Sequence, residues 1–334
     1  MAKKKLHNDP TEYVSEMLEG FAAANPSHVR RVDETDIVVR ADAPVKGKVG
    51  VVTGGGSGHE PMHAGYVGKG MLDGAAAGAV FTSPSATDMQ ELIEVCDGGA
   101  GVLAVVKNYE GDIMNFQTAS DLAADTEYEQ VIVDDDISVS EAEDRTGRRG
   151  VAGTVFVHKI AGAKAAQGAS LSEVAATAEK AIDNIASMGV ALSSCITPEK
   201  GEPTVDLSAD EIELGIGIHG EPGVERTEHQ SADDITERIT TDVVKDLDLA
   251  MGDEVVAMVN GLGATTQSEL YIVARELNRI LDGKSIAVHD IWVGEYCTSL
   301  DMAGCSISLL RLDDELRELL NYPVETPAVT IAEP

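Results

Sequence analysis

The stretch "GKVGVVTGGGSGHEPMH", residues 47–63, decides how the first half of this chain folds. Val49 to Val52 make a short apolar run, and glycines crowd the positions that follow. A buried strand running into such a turn lets another group approach the backbone closely and leaves N–H groups open to an oxygen-rich ligand. In open α/β sheets ligands sit at this end of the strands.

Three site chemistries compete for these letters. His59-Glu60-Pro61-Met62-His63 satisfies the spacing of a zinc-protease helix, in which both imidazoles hold the metal and the glutamate acts as base. That chemistry needs His59 well inside a helix, whereas glycines and Ser57 precede it and Pro61 removes a helical hydrogen bond and disfavours helix at Glu60. A phosphate loop would end Gly-Lys-Ser/Thr, but this stretch ends Gly58-His59-Glu60. The dinucleotide fingerprint needs a small residue where His59 stands. A turn that lines a small-molecule site is the reading left.

Outward from this turn the pattern alternates. "SATDMQELIEVCDGG" (85–99) reads as a capped helix, "GVLAVVKNY" (101–109) as a buried strand, "IMNFQTASDLAAD" (113–125) as a helix and "QVIVDDDIS" (130–138) as a strand. Upstream, Asp9 and Pro10 open a helix whose apolar face carries Val14, Met17, Leu18 and Phe21, and which Asn25-Pro26 ends. Apolar strands alternating with helices imply a largely parallel, doubly covered sheet. Two Ala-rich helical stretches, 151–168 and 171–189, read as packing elements, and the alternation then restarts with "VALSSCI", "DEIELGIGIHG", a helix near 232–247, "DEVVAMVNGLG", a helix near 267–282, "KSIAVHDIWV" and "CSISLLRL". The expected architecture is two α/β domains, 1–188 and 189–334, each with a central largely parallel or mixed sheet flanked by helices.

Composition narrows the function. With 334 residues, 43% of them apolar, the chain can build real cores. A net charge of −33 disfavours nucleic acid and anionic membranes as partners. Spread along the chain, these carboxylates suit a solvated surface adapted to high salt, a halophile-like composition. No membrane span and no signal peptide is legible, which points to the cytoplasm. Cys96, Cys195, Cys297 and Cys305 have no paired or zinc-finger spacing and read as buried thiols. The acidic triplet 134–136 reads as a solvated turn rather than a metal site.

Two further stretches echo the first. "GIGIHGEPG", 215–223, again runs into a histidine, a glutamate and a proline and sets His219 among glycines; "KNYEGD", 107–112, ends a buried strand at Lys107 and puts Asp112 on the loop beyond. Three strand ends of this kind can together make a site.

These blocks, with "ADAPVKGKVGVVTGGGSGHEPMHAGYVGKGML", "FTSPS", "VKNYEGDIMNF", "VIVDDD", "GRRGVAGTV", "VNGLGAT", "ELY" and "YCTSLDMAGCSISLL", resemble the substrate-binding K subunits of dihydroxyacetone kinases, in order, from about residue 5 onward. The resemblance implies a pocket for a three-carbon ketone that His219 holds covalently as a hemiaminal. It implies a catalytic pair at His59 and Asp112 and substrate contacts from Gly56, Ser83 and Lys107. An uncharged imidazole is nucleophilic, and an ordinary one is mostly neutral in the cytoplasm. Ala79 and Glu110 depart from the glutamate and threonine common in relatives, and neither change touches the proposed catalytic residues.

No nucleotide motif is legible, and the sequence ends at Pro334 without the second, helical nucleotide-binding domain of single-chain members. The resemblance therefore implies no cofactor or metal on this chain, and ADP or ATP with Mg2+ on a separate L subunit. It also implies an indirect phosphocarrier partner and a homodimer. A different class of function, a dihydroxyacetone-sensing regulatory protein, would use the same pocket without catalysis; keeping both His59 and Asp112 favours the enzyme.

Overall fold

The structure, a computed structural model, describes residues 4–139 and 147–333. Its strands are β1 (Val29–Arg31), β2 (Ile37–Arg40), β3 (Gly50–Ser57), β4 (Gly74–Val80), β5 (Val102–Lys107), β6 (Tyr128–Val133), β7 (Ile185–Ala191), β8 (Glu211–Leu214), β9 (Glu225–Glu228), β10 (Glu254–Gly261), β11 (Ala287–Gly294), β12 (Gly304–Leu312), β13 (Val324–Glu325) and β14 (Thr330–Ile331). Its helices are α1 (Tyr13–Ala24), α2 (Ala86–Cys96), α3 (Glu110–Leu122), α4 (Thr154–Ala166), α5 (Leu171–Ile182), α6 (Ala232–Asp246), α7 (Gln267–Gly283) and α8 (Asp314–Leu320).

The chain forms two compact units. One, the glycine-loop unit, takes 4–133, 154–182 and the described residues from 316 onward; the other, the His219 unit, takes 183–315 with the described part of 134–153. The glycine-loop unit is built on a six-stranded sheet of order β1-β2-β4-β3-β5-β6, in which β4, β3, β5 and β6 run parallel. Met89, Leu92 and Ile93 of α2 and Phe116 of α3 pack on Val52, Val102, Ala104 and Val106, each such large side chain contributing about 1.5–3 kcal/mol of burial. Residues of opposite parity, such as Val51, Leu103 and Val105, face the other side, and α4 and α5 pack against β3, β5 and β6. α4 is buried on nearly every position, so the alternation of a surface helix is absent from it.

The sheet of the His219 unit has the order β11-β10-β12-β7-β8-β9, with one parallel pair, β10 and β11, and antiparallel pairs elsewhere. α6 and α7 cover one face through Ile235, Ile239, Val243, Leu270 and Leu277. Both sheets are mixed and flanked by helices, as expected from the alternating pattern.

Three local expectations differ. The helix read over 171–189 ends at Ile182, and β7 begins at Ile185; Asn184 between them is taken by Arg311, whose backbone N–H and side chain donate to its carbonyl and amide oxygens at 2.9 and 3.0 Å. The division expected at residue 188 falls inside β7. Residues 134–139 run beside that strand, Ser187 donating to the Asp135 carbonyl at 2.7 Å and accepting from Ile137 at 3.0 Å, which draws this earlier segment into the His219 unit. Of the triplet 134–136 only Asp134 is exposed; Asp135 and Asp136 are 1% and 2% exposed and form no solvated turn. Asp135 accepts from the N–H groups of Val151 and Gly153 at 2.7 and 2.8 Å, and Asp136 pairs with Arg149 at 2.7 Å, so burial is offset by specific partners. All four cysteines are buried thiols outside any disulfide, as their spacing suggests. No helix among the described residues is long and apolar enough to cross a membrane.

Candidate active site

β3 is buried along its whole length and delivers Gly54, Gly55 and Gly56 to its C-terminal end. A Cβ on Gly56 would lie 2.5 Å from the Thr82 nitrogen and 2.8 Å from the Phe81 backbone, so only glycine allows the segment after β4 to cross here. That segment is tied down: Phe81 N–H donates to the Ser57 carbonyl at 3.0 Å and Ser57 Oγ to the Gly78 carbonyl at 2.7 Å. Phe81 itself sits at φ 58°, a left-handed conformation costly for an aromatic residue. Its ring stacks on buried His59, with centroids 5.0 Å apart and planes at 20°.

Residues 59–63 are bend and turn rather than helix, so the geometry a zinc-protease motif requires is missing. His63 turns instead beneath the glycines, where a Cβ on Gly55 would meet its Nε2 at 2.9 Å and the Lys107 Nζ at 3.3 Å. Its ring lies edge-on to His158, centroids 5.5 Å apart. Burial above all, and then the neighbouring Lys107 ammonium, hold the His63 pKa well below the usual imidazole value and bring that of His158 down to about 3. Both rings stay neutral beside the lysine.

Lys107 closes β5, is 1% exposed and places its ammonium 5.3 Å from the centre of the Tyr109 ring. Three residues later α3 begins, and Asp112 occupies its first turn, where a carboxylate suits the helix dipole. Asp112 is buried, and the Ser83 hydroxyl donates to its Oδ1. Asn115 of the same helix donates to the Pro84 carbonyl at 2.7 Å, fixing the 82–84 segment against α3. Of the residues named from sequence, Gly56, His59, Ser83, Lys107 and Asp112 thus share one end of the parallel sheet.

His219 stands in the other unit. Its loop closes with Gly217 N–H donating to the Glu221 carbonyl and Gly220 N–H to the Gly217 carbonyl, both at 3.0 Å, while Gly215 and Gly220 take φ values of 74° and 86°. Ser299 Oγ donates to the Ile218 carbonyl at 2.6 Å and steadies the residue before it. The imidazole is 20% exposed, with Nδ1 2.7 Å from Glu221 Oε1, and its backbone N–H donates to Oε2 at 2.9 Å. Burial disfavours ionisation of Glu221, but the hydrogen bond and charge of His219, helped by Arg149, outweigh it and hold the carboxyl at about 2. Sequence names His63 only as the second imidazole of the zinc-protease spacing, and it does not single out Phe81, His158 or Glu221. Of these three only Glu221 has a local signal, its place two residues beyond His219.

A model of the Dak1 domain matches residues 19–328. The chain is 48% identical to the PTS-dependent dihydroxyacetone kinase 1, dihydroxyacetone-binding subunit DhaK, of Listeria innocua, over 97% of this chain and 99% of that protein. Among solved structures, the native dihydroxyacetone kinase of C. freundii superposes with a TM-score of 0.91 at 36% identity, covering 100% of this chain and 62% of that one. The dihydroxyacetone kinase operon co-activator Dha-DhaQ superposes at 0.88 and 33%, covering 94% and 97%. The motifs, the two mixed sheets and these matches lead to one conclusion: the chain belongs to the Dak1 domain family.

Proposed function

We propose that this chain is the dihydroxyacetone-binding subunit of a dihydroxyacetone kinase and that it holds its substrate as a hemiaminal on His219. The observation that carries the reading is the cluster at the end of the parallel sheet, where Asp112, engaged by Ser83, lies in the same unit as His59 on Phe81 and the glycine strand. Asp112 is the general base: it takes the proton of the substrate's terminal hydroxyl as that oxygen forms its bond to phosphorus. His59 polarises the same oxygen, and Gly56, Ser83 and Lys107 line the substrate's place.

The phosphoryl donor is a nucleotide on an L-type partner, recharged by a phosphocarrier or exchanged for ATP. Magnesium is assigned with the nucleotide to that partner. A homodimer, a cytoplasmic location and a high-salt habitat complete the reading. The sensor reading keeps one observation in its favour, the fold shared with an operon co-activator.

Intact mass spectrometry under non-denaturing conditions after incubation with dihydroxyacetone tests the proposal. Wild type gains one three-carbon adduct that maps to His219, and His219→Ala gains none. Asp112→Asn keeps the adduct while turnover with the L partner falls about 100-fold or more, the scale of a lost general base. A folded wild type without adduct overturns the hemiaminal, and unimpaired Asp112→Asn turnover overturns the base.

A further inference from the structure

We propose that Glu221, with the Arg149–Asp136 pair behind it, is the positioning residue of His219: it fixes the imidazole as the Nδ1–H tautomer and leaves Nε2 unprotonated. An ionised carboxylate only accepts, so the 2.7 Å contact between Glu221 Oε1 and His219 Nδ1 puts the ring proton on Nδ1. The second carboxylate oxygen accepts the backbone N–H of the same residue at 2.9 Å, so ring and backbone are clamped together.

Behind this clamp stands a buried guanidinium. Arg149 is 6% exposed, donates through Nε to Asp136 Oδ2 at 2.7 Å and through Nη2 to the Gly215 carbonyl at 2.8 Å. Its Nη1 and Glu221 Oε2 crowd the same point above Gly217, where a Cβ would lie 2.6 Å from the first and 2.1 Å from the second. Asp136, Arg149 and Glu221 thus alternate in charge along a line that ends on the His219 ring, which is 20% exposed. A Cβ at Gly217 therefore fits only if the Glu221 carboxylate and the Arg149 guanidinium are pushed aside.

The catalytic consequence rests on the proposed role of His219. The Nε2 lone pair forms the bond to the carbonyl carbon, the carbonyl π pair moves to oxygen, and that oxygen takes a proton from water. The ring is then cationic at Nδ1–H and faces an ionised carboxylate, which stabilises the developing charge. Release of the Nδ1 proton to solvent leaves the neutral hemiaminal.

The test uses the full chain with 15N-labelled histidine, observed by NMR at about pH 8, where an ordinary imidazole is neutral. The His219 signals are assigned as those missing from His219→Asn. Wild type shows a protonated Nδ1 and a bare Nε2. Glu221→Ala and Gly217→Ala shift the ring toward a mixture of tautomers, and Glu221→Gln, whose carbonyl still accepts, restores most of the Nδ1–H form. Adduct formation slows at least 10-fold in Glu221→Ala and less in Glu221→Gln. Persistence of a pure Nδ1–H ring in Glu221→Ala, or a wild-type ring protonated on Nε2, overturns the proposal. If the tautomers behave as expected but wild type forms no adduct, the positioning role stands and the nucleophile assignment falls.

Discussion

Two loops of this molecule carry a histidine, a glutamate and a proline in nearly the same order, His59-Glu60-Pro61 and His219-Gly220-Glu221-Pro222, yet they hold their histidines by different means. In the first, Glu60 follows His59 directly, accepts from the Gly58 N–H at 3.0 Å, and leaves the ring to stack on Phe81. In the second, Gly220 intervenes at φ 86° and turns the chain, so that Glu221 reaches back to the imidazole of His219. One glycine converts a neighbour into a partner. An aromatic stack holds the plane of a ring, whereas a carboxylate also decides where its proton sits.

The sharpest way to break this contrast is through the glycines that frame each loop. Gly56 faces backbone, with the Thr82 nitrogen 2.5 Å from its virtual Cβ, while Gly217 faces the side-chain ends of Glu221 and Arg149. Gly56→Ala therefore has to move main chain and is expected to destabilise the glycine-loop unit by about 3 kcal/mol or more. Gly217→Ala can be relieved by side-chain displacement and should cost clearly less. Urea unfolding of the two variants checks the order, and equal costs would mean that the second loop is as rigid as the first.

How much of this was legible follows from where each partner lies. The Ser85 cap of α2 and the Asp9 turn before α1 are local, and both are found where the sequence puts them, Ser85 accepting from Asp88 N–H and Asp9 from Thr11 N–H. β3 and β5 announce themselves as apolar runs. β4, "GAAAGAV", does not, because alanine and glycine carry no strand preference; its small residues matter only once the 81–83 segment folds back over Gly78. Asp136 reads as a solvated acid in the sequence because its partner, Arg149, lies 13 residues away, a separation at which no turn or helix pattern points. His158 and Lys159 lie in a stretch read only as packing, and nothing local says that α4 is buried all round. Chemistry-bearing residues at the ends of strands were visible, and their second partners across the fold were not.

The two glutamates offer a finer test, since burial and pairing pull their titrations apart. For Glu221 the folded value, about 2, lies below the ordinary 4.5, so its contribution is fully present above the unfolded value and is lost as pH falls through about 2. A full shift of this size corresponds to about 3 kcal/mol, but the side chain is 31% exposed, and roughly 1–2 kcal/mol is expected after screening. Glu221→Gln should lose that much stability at pH 7 and little at pH 2. A loss independent of pH would assign the effect to packing rather than to charge.

Glu60 should show the smallest change, with the opposite sign. Burial raises its pKa above 4.5, only partly opposed by the hydrogen bond from Gly58. The folded state therefore holds its proton more tightly than the unfolded one, and whatever stability Glu60 contributes is greatest below the unfolded pKa and declines as pH rises through the folded one. Gln keeps the acceptor for Gly58 N–H and removes the charge that burial penalises. Glu60→Gln is thus expected to be neutral or stabilising by roughly 0.5 kcal/mol at pH 7 and indistinguishable from wild type at pH 3. Thermal melts at the two pH values read the difference, and a marked loss at pH 7 would mean that the Glu60 charge, like that of Glu221, is engaged by a cation.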